Sequence, residues 1–500
     1  MEARVTDIER PPLDKHPWEA GTHPGRNWDC DDSPLHKERS TCYSPSVPEH
    51  WYNQMSTRLV TQYQKRLAEK LAETLKAPLP TATPRRVHGV VSLPNKATAV
   101  VGMRRAGKTT FLHQLRRDRL ELGVARERLV YINFEDEQLA GLQAAQLNSL
   151  MEEYYRQFPA FRRKERVSFF LDEIQQVPDW ERFVRRILDT EKVEVFVSGS
   201  SAALLSREIA TAMRGRAWEV VIHPFSFEEY LRHHQWPVPD KPDFLAPPER
   251  SAVERAFQDY LVCGGFPEVQ TVDTATHHAL LRDYVDVAML RDVMERHGIS
   301  NVTALRWLVR HLLGNAAGMF SIEKFYASLK SQGLRTSKDS LHDYLSHLED
   351  CFLVRTVWLE TASERQRMVN PRKAYPVDPG LIPVFDRTGR TNLGHALETV
   401  VLVELERRRM EVTYVRTPGG YEIDFLARRP GEPPELIQVC ADVGAAEVVE
   451  RELRALEDVV KTHPRSIRRL LTLTRDAMPD DVPKNVIVQP AYEWLLQGRD

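Results

Sequence analysis

Residues 97–110, Ala-Thr-Ala-Val-Val-Gly-Met-Arg-Arg-Ala-Gly-Lys-Thr-Thr, restrict the fold more than any other stretch. A mostly β-branched run, Ala97 to Val101, leads into Gly102-x-x-x-x-Gly107-Lys108-Thr109, and an amphipathic stretch starts at Phe111. This is the strand–loop–helix context of a phosphate-binding P-loop. Its glycines let backbone N–H groups close around a polyphosphate, because a Cβ there blocks the approach. Lys108 can reach the β- and γ-phosphates, and the Thr109 hydroxyl is placed to ligate Mg²⁺. The helix N-terminus adds its positive dipole end. Met103, Arg104, Arg105, Ala106 and Thr110 complete the expected nucleotide-binding set. The alternative is a Gly-rich turn with a chance lysine. The spacing and both flanks favour an ATP or GTP site.

Strand-like runs at 97–101, 129–134, 167–171, 193–197 and 218–222 alternate with helical patterns. Apolar runs of this kind suit a parallel sheet covered on both faces. The fold class expected for 91–230 is therefore an α/β P-loop domain. Residues 49–76 form a helical pattern, with Met55, Leu59, Tyr63, Leu67, Leu71 and Leu75 recurring every four positions. Packing against its own nucleotide-binding domain is the favoured reading of this lead-in segment (49–90), with oligomerisation as the other. Residues 1–48, with Trp18, Trp28, Cys30, His36 and Cys42, have no period and read as a disordered arm. Its cysteines and histidine match no zinc spacing.

Residues 231–300 read as a helical domain, with the Pro-rich stretch 236–250 as a surface loop. Residues 301–378 hold three helical patterns, the third N-capped by Ser337, then strand-like runs at 352–354 and 356–359. A basic segment follows (Arg365, Arg367, Arg372, Lys373). That outline is a winged helix–turn–helix. Lys338 and His342 on the third helix and the basic segment on the wing would meet DNA. However, Asp339, Asp343, Glu349 and Asp350 share that helix, and a phosphate-gripping face should be more basic. Protein packing stands beside DNA as a reading. Residues 379–500 return to α/β alternation.

Asp172-Glu173 ends the strand 167–171. A P-loop hydrolase needs one carboxylate there for the Mg²⁺ shell and one to polarise water; Asp172 suits the first role and Glu173 the second. The alternative is a helix start with two dipole-favourable acids. Strand 193–197 runs into Ser198-Gly199-Ser200-Ser201, where Ser198 or Ser200 could sense the γ-phosphate or simply cap a helix. Arg214 and Arg216 flank Gly215 and read either as solvated surface or as a finger on a phosphate, in cis or from a neighbouring copy. Glu135 and Asp136, after strand 129–134, are candidates to support the site, since ligands bind at the carboxyl ends of strands.

Gly-Met-Arg-Arg-Ala-Gly-Lys-Thr-Thr, Asn-Phe-Glu-Asp, Phe-Leu-Asp-Glu-Ile-Gln, Ser-Gly-Ser-Ser-Ala, Arg-Gly-Arg and Pro-Phe-Ser-Phe-Glu-Glu-Tyr-Leu occur in this order. Gly264-Gly265-Phe266-Pro267-Glu268, Leu290-Arg291-Asp292-Val293, Asn370-Pro371-Arg372-Lys373, Asp378-Pro379-Gly380-Leu381 and Glu422-Ile423-Asp424-Phe425 extend the series. Over about residues 90–440 it resembles the prokaryotic AAA+ ATP-binding proteins that carry a C-terminal domain of unassigned function. The resemblance implies an ASCE-type sheet, ATP with Mg²⁺, Asp172-Glu173 as Walker B, a sensor at 198–200 and an arginine finger at Arg214 or Arg216. The finger in turn implies a homo-oligomer.

Glu398 on a helix, Asp424 on a strand and Gln438-x-Cys440 on the next strand resemble the order of a PD-(D/E)xK nuclease. The acid and lysine of that motif are here Gln438 and Cys440. A neutral amide binds Mg²⁺ weakly and a thiol does not replace an ammonium. The expectation is a restriction-endonuclease-like fold without nuclease activity, unless Arg416 or Arg428 supplies a migrated cation. A formal charge of −2 announces no global nucleic-acid field. Five scattered cysteines without a C-x-x-C pair fit a reducing cytoplasm. No run of about 18 apolar residues predicts a membrane span.

Overall fold

The computed structural model describes residues 49–199, 213–386, 392–441, 446–475 and 482–497, with side chains described for all of these except 49–62 and 446–448. The arm 1–48, and with it Trp18, Trp28, Cys30, His36 and Cys42, lies outside the described residues, as do Ser200 and Ser201. Five strands build the first sheet: β1 (Ala97–Val101), β2 (Leu129–Asn133), β3 (Val167–Asp172), β4 (Val193–Ser198) and β5 (Ala217–Val221). Their order is β2-β3-β4-β1-β5 and every pairing is parallel. Alternate residues face opposite layers, as a two-residue period requires. Val100, Phe170 and Phe196 meet Phe111, Leu112 and Leu115 of the helix Lys108–Glu121. Ala99, Phe169 and Val195 face Leu147, Leu150, Tyr154, Val184 and Ile187 of the helices Ala144–Gln157 and Trp180–Thr190.

The lead-in helix is Glu49–Lys76. From residue 63 on, its apolar edge, with Leu67 and Leu71 fully buried, joins the same core. The Tyr63 hydroxyl donates to Ala140 O at 2.7 Å and Lys70 pairs with Asp136 at 2.9 Å, so this part of the helix packs on the nucleotide-binding domain.

Helices dominate 227–350. Ser226 caps the helix Phe227–His233 in a reciprocal box with Glu229. The expected loop 236–250 ends early, because Pro247 and Pro248 occupy the first turn of the helix Pro247–Cys263. Proline is accepted there, since the missing N–H has no helical partner in any case. The helix Thr274–Val287 continues as a π-helical run, Ala288–Glu295. Next come the helix Val302–Gly314, β6 (Gly318–Phe320), the helices Ile322–Ser331 and Lys338–Asp350, β7 (Val354–Leu359) and β8 (Arg372–Pro376). The two strand-like runs expected at 352–359 are one strand, begun after a left-handed turn at Phe352 (φ 63°). Its antiparallel partner is β8, which carries Arg372 and Lys373 of the expected basic wing.

The last segment runs helix Leu393–Arg407, β9 (Glu411–Arg416), β10 (Glu422–Arg428), β11 (Glu435–Cys440), helix Ala446–Asp458, β12 (Ile467–Thr472), β13 (Val486–Pro490) and helix Ala491–Leu496. β7 pairs with β9 in parallel, so one eight-stranded sheet, β13-β12-β11-β10-β9-β7-β8-β6, runs through the boundary expected at 378. Among the described residues no helix is long and apolar enough to cross a membrane.

Candidate functional site

The carboxyl ends of β1, β3 and β4 meet at one edge of the parallel sheet. Gly102 has φ 143°, and a Cβ on it would lie 2.1 Å from Ile222 O, so only glycine lets the loop leave β1 beside β5. Gly107, at φ 100°, starts the helix Lys108–Glu121. Lys108 is buried, and its Nζ donates to Gly102 O and Met103 O, each at 3.1 Å. Burial lowers its pKa, against the pull of Glu173 and Asp172. Its ammonium thus sits in the mouth of the loop, and among the described residues its hydrogen bonds go to these carbonyl oxygens. Thr109, at the first turn of the same helix, is exposed.

Asp172 closes β3. Its Oδ2 accepts from the Tyr131 hydroxyl at 2.8 Å and its Oδ1 accepts from the Ser198 hydroxyl. The backbone N of Glu173 donates to Ser198 Oγ at 3.0 Å. Ser198 therefore braces the Asp172-Glu173 pair instead of presenting an open hydroxyl to a phosphate. Glu173 sits at φ 51°, a left-handed conformation costly for this residue type and frequent at functional sites. Burial raises its carboxyl pKa, opposed by the Lys108 charge and by a hydrogen bond from the Gln175 amide. A carboxylate moved in that direction is better matched to taking a proton near neutral pH.

The loop arginines hold neighbouring elements. Arg104 grips Asp292 of the π-helical run with two hydrogen bonds, at 2.8 and 3.0 Å, and comes within 4.0 Å of Glu135. Burial works against its charge, but the bonds and charge of Asp292 outweigh it, so its pKa is raised. Arg105 pairs with Glu268 at 2.9 Å, and Glu268 also accepts from the Tyr284 hydroxyl. Asp136 caps the turn at 137–139 and pairs with Lys70, so it shapes the loop after β2 and does not support the phosphate site.

Arg214 and Arg216 lie at the opposite end of the sheet. Ala97, the first residue of β1, donates to Arg216 O at 2.8 Å, so the length of a five-residue strand, about 16 Å, separates them from the P-loop. Arg216 pairs with Asp189, and Arg214 is exposed at φ 49°. A finger in cis is excluded by this geometry.

Arg85 is a site residue that the sequence did not reveal. Fully enclosed, it donates to Ala106 O at 2.6 Å and to His223 O, pairs with Glu229 at 3.2 Å and lies 5.0 Å over the Phe225 ring. It ties the P-loop to the segment after β5. A second junction joins Phe225, Gly264-Gly265 and Asp378-Pro379-Gly380. Asp378 accepts from Gly265 N at 2.7 Å and Gly380 N at 2.9 Å. A Cβ on Gly264 would fall 1.8 Å from its Oδ1. Burial pushes the Asp378 carboxyl up to about 7.

A second polar centre lies on the large sheet. Lys373 of β8, expected on a DNA-facing wing, is buried instead. Its Nζ lies 2.8 Å from Asp424, 2.9 Å from Glu422 and 3.5 Å from Glu398. Burial alone would lower its pKa; Asp424, Glu398 and Glu422 together raise it far above the ordinary value. Glu398 is pushed up to about 8, by burial first and the Asp424 charge second. Asp424 sits where the β9–β10 register breaks, between Ile423 and Leu426. Gln438 accepts from Asp424 N at 3.3 Å and donates to Glu452 at 2.7 Å, so it crosslinks the centre. Gln438 and buried Cys440 line the same 1190 Å³ pocket as Lys373 and the acids. Neither expected cation is there: Arg416 is exposed at the end of β9, and Arg428 pairs with Glu360 at 2.6 Å. Among the described residues no group of three or more His, Cys, Asp or Glu side chains is arranged to hold a metal ion.

On the third helix of the expected DNA-binding region, Lys338 pairs with Glu323 and stands beside exposed Asp339, His342 and Asp343. Of the basic segment, Arg367 and Arg372 stack on Trp358, at 5.4 and 3.6 Å from its ring centre. Arg365 lies on the short helix Glu364–Val369.

A P-loop after β1, an acid pair after β3 and β4 inserted between those strands define an α/β P-loop protein of the ASCE type. Residues 94–231 match the AAA domain family, and 254–391 match a domain of unknown function (DUF8612). An uncharacterized protein of Methanocaldococcus jannaschii is 33% identical over 415 residues, 81% of this chain and 89% of that protein. The chain belongs to the same family as that archaeal protein, with an AAA nucleotide-binding domain over 94–231. A Haemophilus influenzae protein, also uncharacterized, is 29% identical over 334 residues, 67% of this chain and 80% of its own length. Among solved structures, the Walker-type ATPase of Pyrococcus abyssi aligns with 64% of this chain and 95% of its own, at TM-score 0.35 and 14% identity. The Orc1 protein of Aeropyrum pernix, solved in complex with DNA, aligns with 65% of this chain and 91% of its own, at TM-score 0.27 and 15% identity.

Proposed function

We propose that the chain binds and hydrolyses ATP at Lys108, Thr109, Asp172 and Glu173, and that nucleotide state biases the modules after residue 223. The observation that carries this reading is the convergence of Lys108, Asp172 and Glu173 at one sheet edge, with Ser198 bracing the acids. The residues fit a Mg–nucleotide: the loop is a glycine cradle that a Cβ would fill, and among the described residues Lys108 has only backbone oxygens as hydrogen-bond partners to leave. Thr109 and Asp172 would hold Mg²⁺, which neutralises phosphate charge. Lys108 would exchange its carbonyl contacts for phosphate oxygens. Glu173, its proton affinity raised by burial, would orient water and take its proton. Arg104 and Arg105 connect the loop to Asp292 and Glu268, the direct route by which loop state would reach the helical segment. Any arginine finger would act in trans. Arg214 suits the role better than Arg216, which is paired. The test is phosphate release by Glu173→Gln. It should fall on the order of 100-fold or more while ATP binding persists. Unchanged release sinks the hydrolysis reading.

For the C-terminal centre we propose a brace without nuclease activity. The run helix, β9, β10, β11, helix, β12 supports a restriction-endonuclease-like reading, and Lys373 supplies a cation from another strand. But Gln438 stands in the acid position, and the three remaining carboxylates already surround Lys373. Plasmid nicking with Mg²⁺ or Mn²⁺ that Asp424→Ala abolishes would establish the opposite.

A further inference from the structure

The helices of 274–332, with the end of the short helix Leu381–Phe385, enclose a groove of 960 Å³ that carries a second, unassigned set of cations. Arg306 and Arg310 project from the helix Val302–Gly314, Arg282 from the helix Thr274–Val287 and Lys324 from the helix Ile322–Ser331. All four are exposed, and among the described residues none of these side chains takes part in an ion pair. Arg306 and Arg310 are four residues apart, so their like charges face each other on one helix surface. That arrangement costs a helix stability unless an anion relieves it. Between them Trp307 also lines the groove and is 37% exposed, although every apolar neighbour on its helix's other face is buried. Asp286 and Asp386 are the acids on the wall, so cations outnumber acids there two to one.

We propose that this groove binds single-stranded nucleic acid. Cations track a phosphate backbone, and an exposed tryptophan among them offers a face on which a base stacks. The shape selects the strand form. A duplex is read by a protein element protruding into its groove, whereas here the protein surface is concave. The third helix Lys338–Asp350 does not carry the contact, because its lysine is paired and its exposed face is mixed in sign. This site stands apart from hydrolysis at Lys108, so it is tested without nucleotide.

The experiment is fluorescence anisotropy of the full chain with labelled dT20, rU20 and a 20-base-pair duplex across a salt series. Wild type should bind the single strands more tightly than the duplex, and weaken steeply as salt rises. The dT and rU arms tell DNA from RNA. Arg306→Glu with Arg310→Glu should lose at least ~10-fold in affinity, and Trp307→Ala on the order of 5- to 10-fold. Lys338→Glu should change nothing. The arginine double variant should melt like wild type, since both side chains are exposed; Trp307→Ala, whose ring is mostly buried, is assayed well below its own melting temperature, and Lys324→Glu provides an independent groove variant. The proposal is overturned by single-strand affinity that survives the double reversal, by tighter duplex binding that Lys338→Glu removes, or by poly-glutamate competing as well as dT20.

Discussion

Two buried lysines sit at the two polar centres of this chain, and their surroundings are opposite. Lys108 is held by two backbone carbonyls, with Asp172 and Glu173 acting only through space. Lys373 is surrounded by three carboxylates within 3.5 Å. Burial costs both ammonium groups, and only Lys373 regains more than it loses, so its pKa rises while that of Lys108 falls. A buried cation whose only hydrogen bonds among the described residues go to backbone carbonyls keeps its donors available to an anion. A buried cation already neutralised is part of the scaffold. In the proposed reading the same residue type marks a ligand site in one sheet and a brace in the other.

Loss of Lys373 has the largest expected effect. Lys373→Ala leaves Asp424, Glu422 and Glu398 crowded without a cation, and removing one partner of a buried pair costs about 3–5 kcal/mol. Urea unfolding should show a loss of that size, with the ATPase rate per folded molecule unchanged. A selective loss of ATPase with normal stability would make the two centres one machine. The next test sharpens the other side. Asp292→Ala frees the Arg104 guanidinium and removes a negative charge from the neighbourhood of Lys108. Titration calorimetry should show ATP bound several-fold more tightly, roughly 1 kcal/mol; weaker binding would mean that Asp292 positions Arg104 instead of competing for it.

The last test is a pH dependence at Asp378. Its folded value is about 7, above the ordinary 3.8. Between those values the folded state keeps a proton that the unfolded chain releases. The contribution of Asp378 to stability is therefore complete below about pH 4, declines as pH rises to about 7 and is level above that. Unfolding followed from pH 4.5 to 8 should show this decline in wild type and a flatter profile in Asp378→Asn. An equal slope in both would assign the dependence to other groups.

Much of this was legible in the chain itself, and the reason is locality. The strands at 97–101 and 435–440, the helix 49–76 and the Ser337 cap follow from period and from turn chemistry a few residues long. The P-loop reads directly because its cradle, lysine and hydroxyl are contiguous. Pro247 and Pro248 misled because proline both breaks helices and begins them. The run 352–359 misled because the strand-like pattern does not reveal which segment will pair with it.

The unread contacts are long-range. Arg104 meets Asp292 across 188 residues, and Lys373 meets Asp424 across 51. Local residue patterns suffice for the nucleotide loop, the acid pair at the end of β3, the α/β alternation and the fact that positions 438 and 440 hold neither an acid nor a lysine. Chain folding is what turns Arg214 and Arg216 away from their own P-loop, sets Ser198 against Asp172 and puts Lys373 among the carboxylates. Strand order and sheet pairing bring those groups together or hold them apart. A charge's meaning depends on what surrounds it after burial, and neighbours in space are not neighbours along the chain.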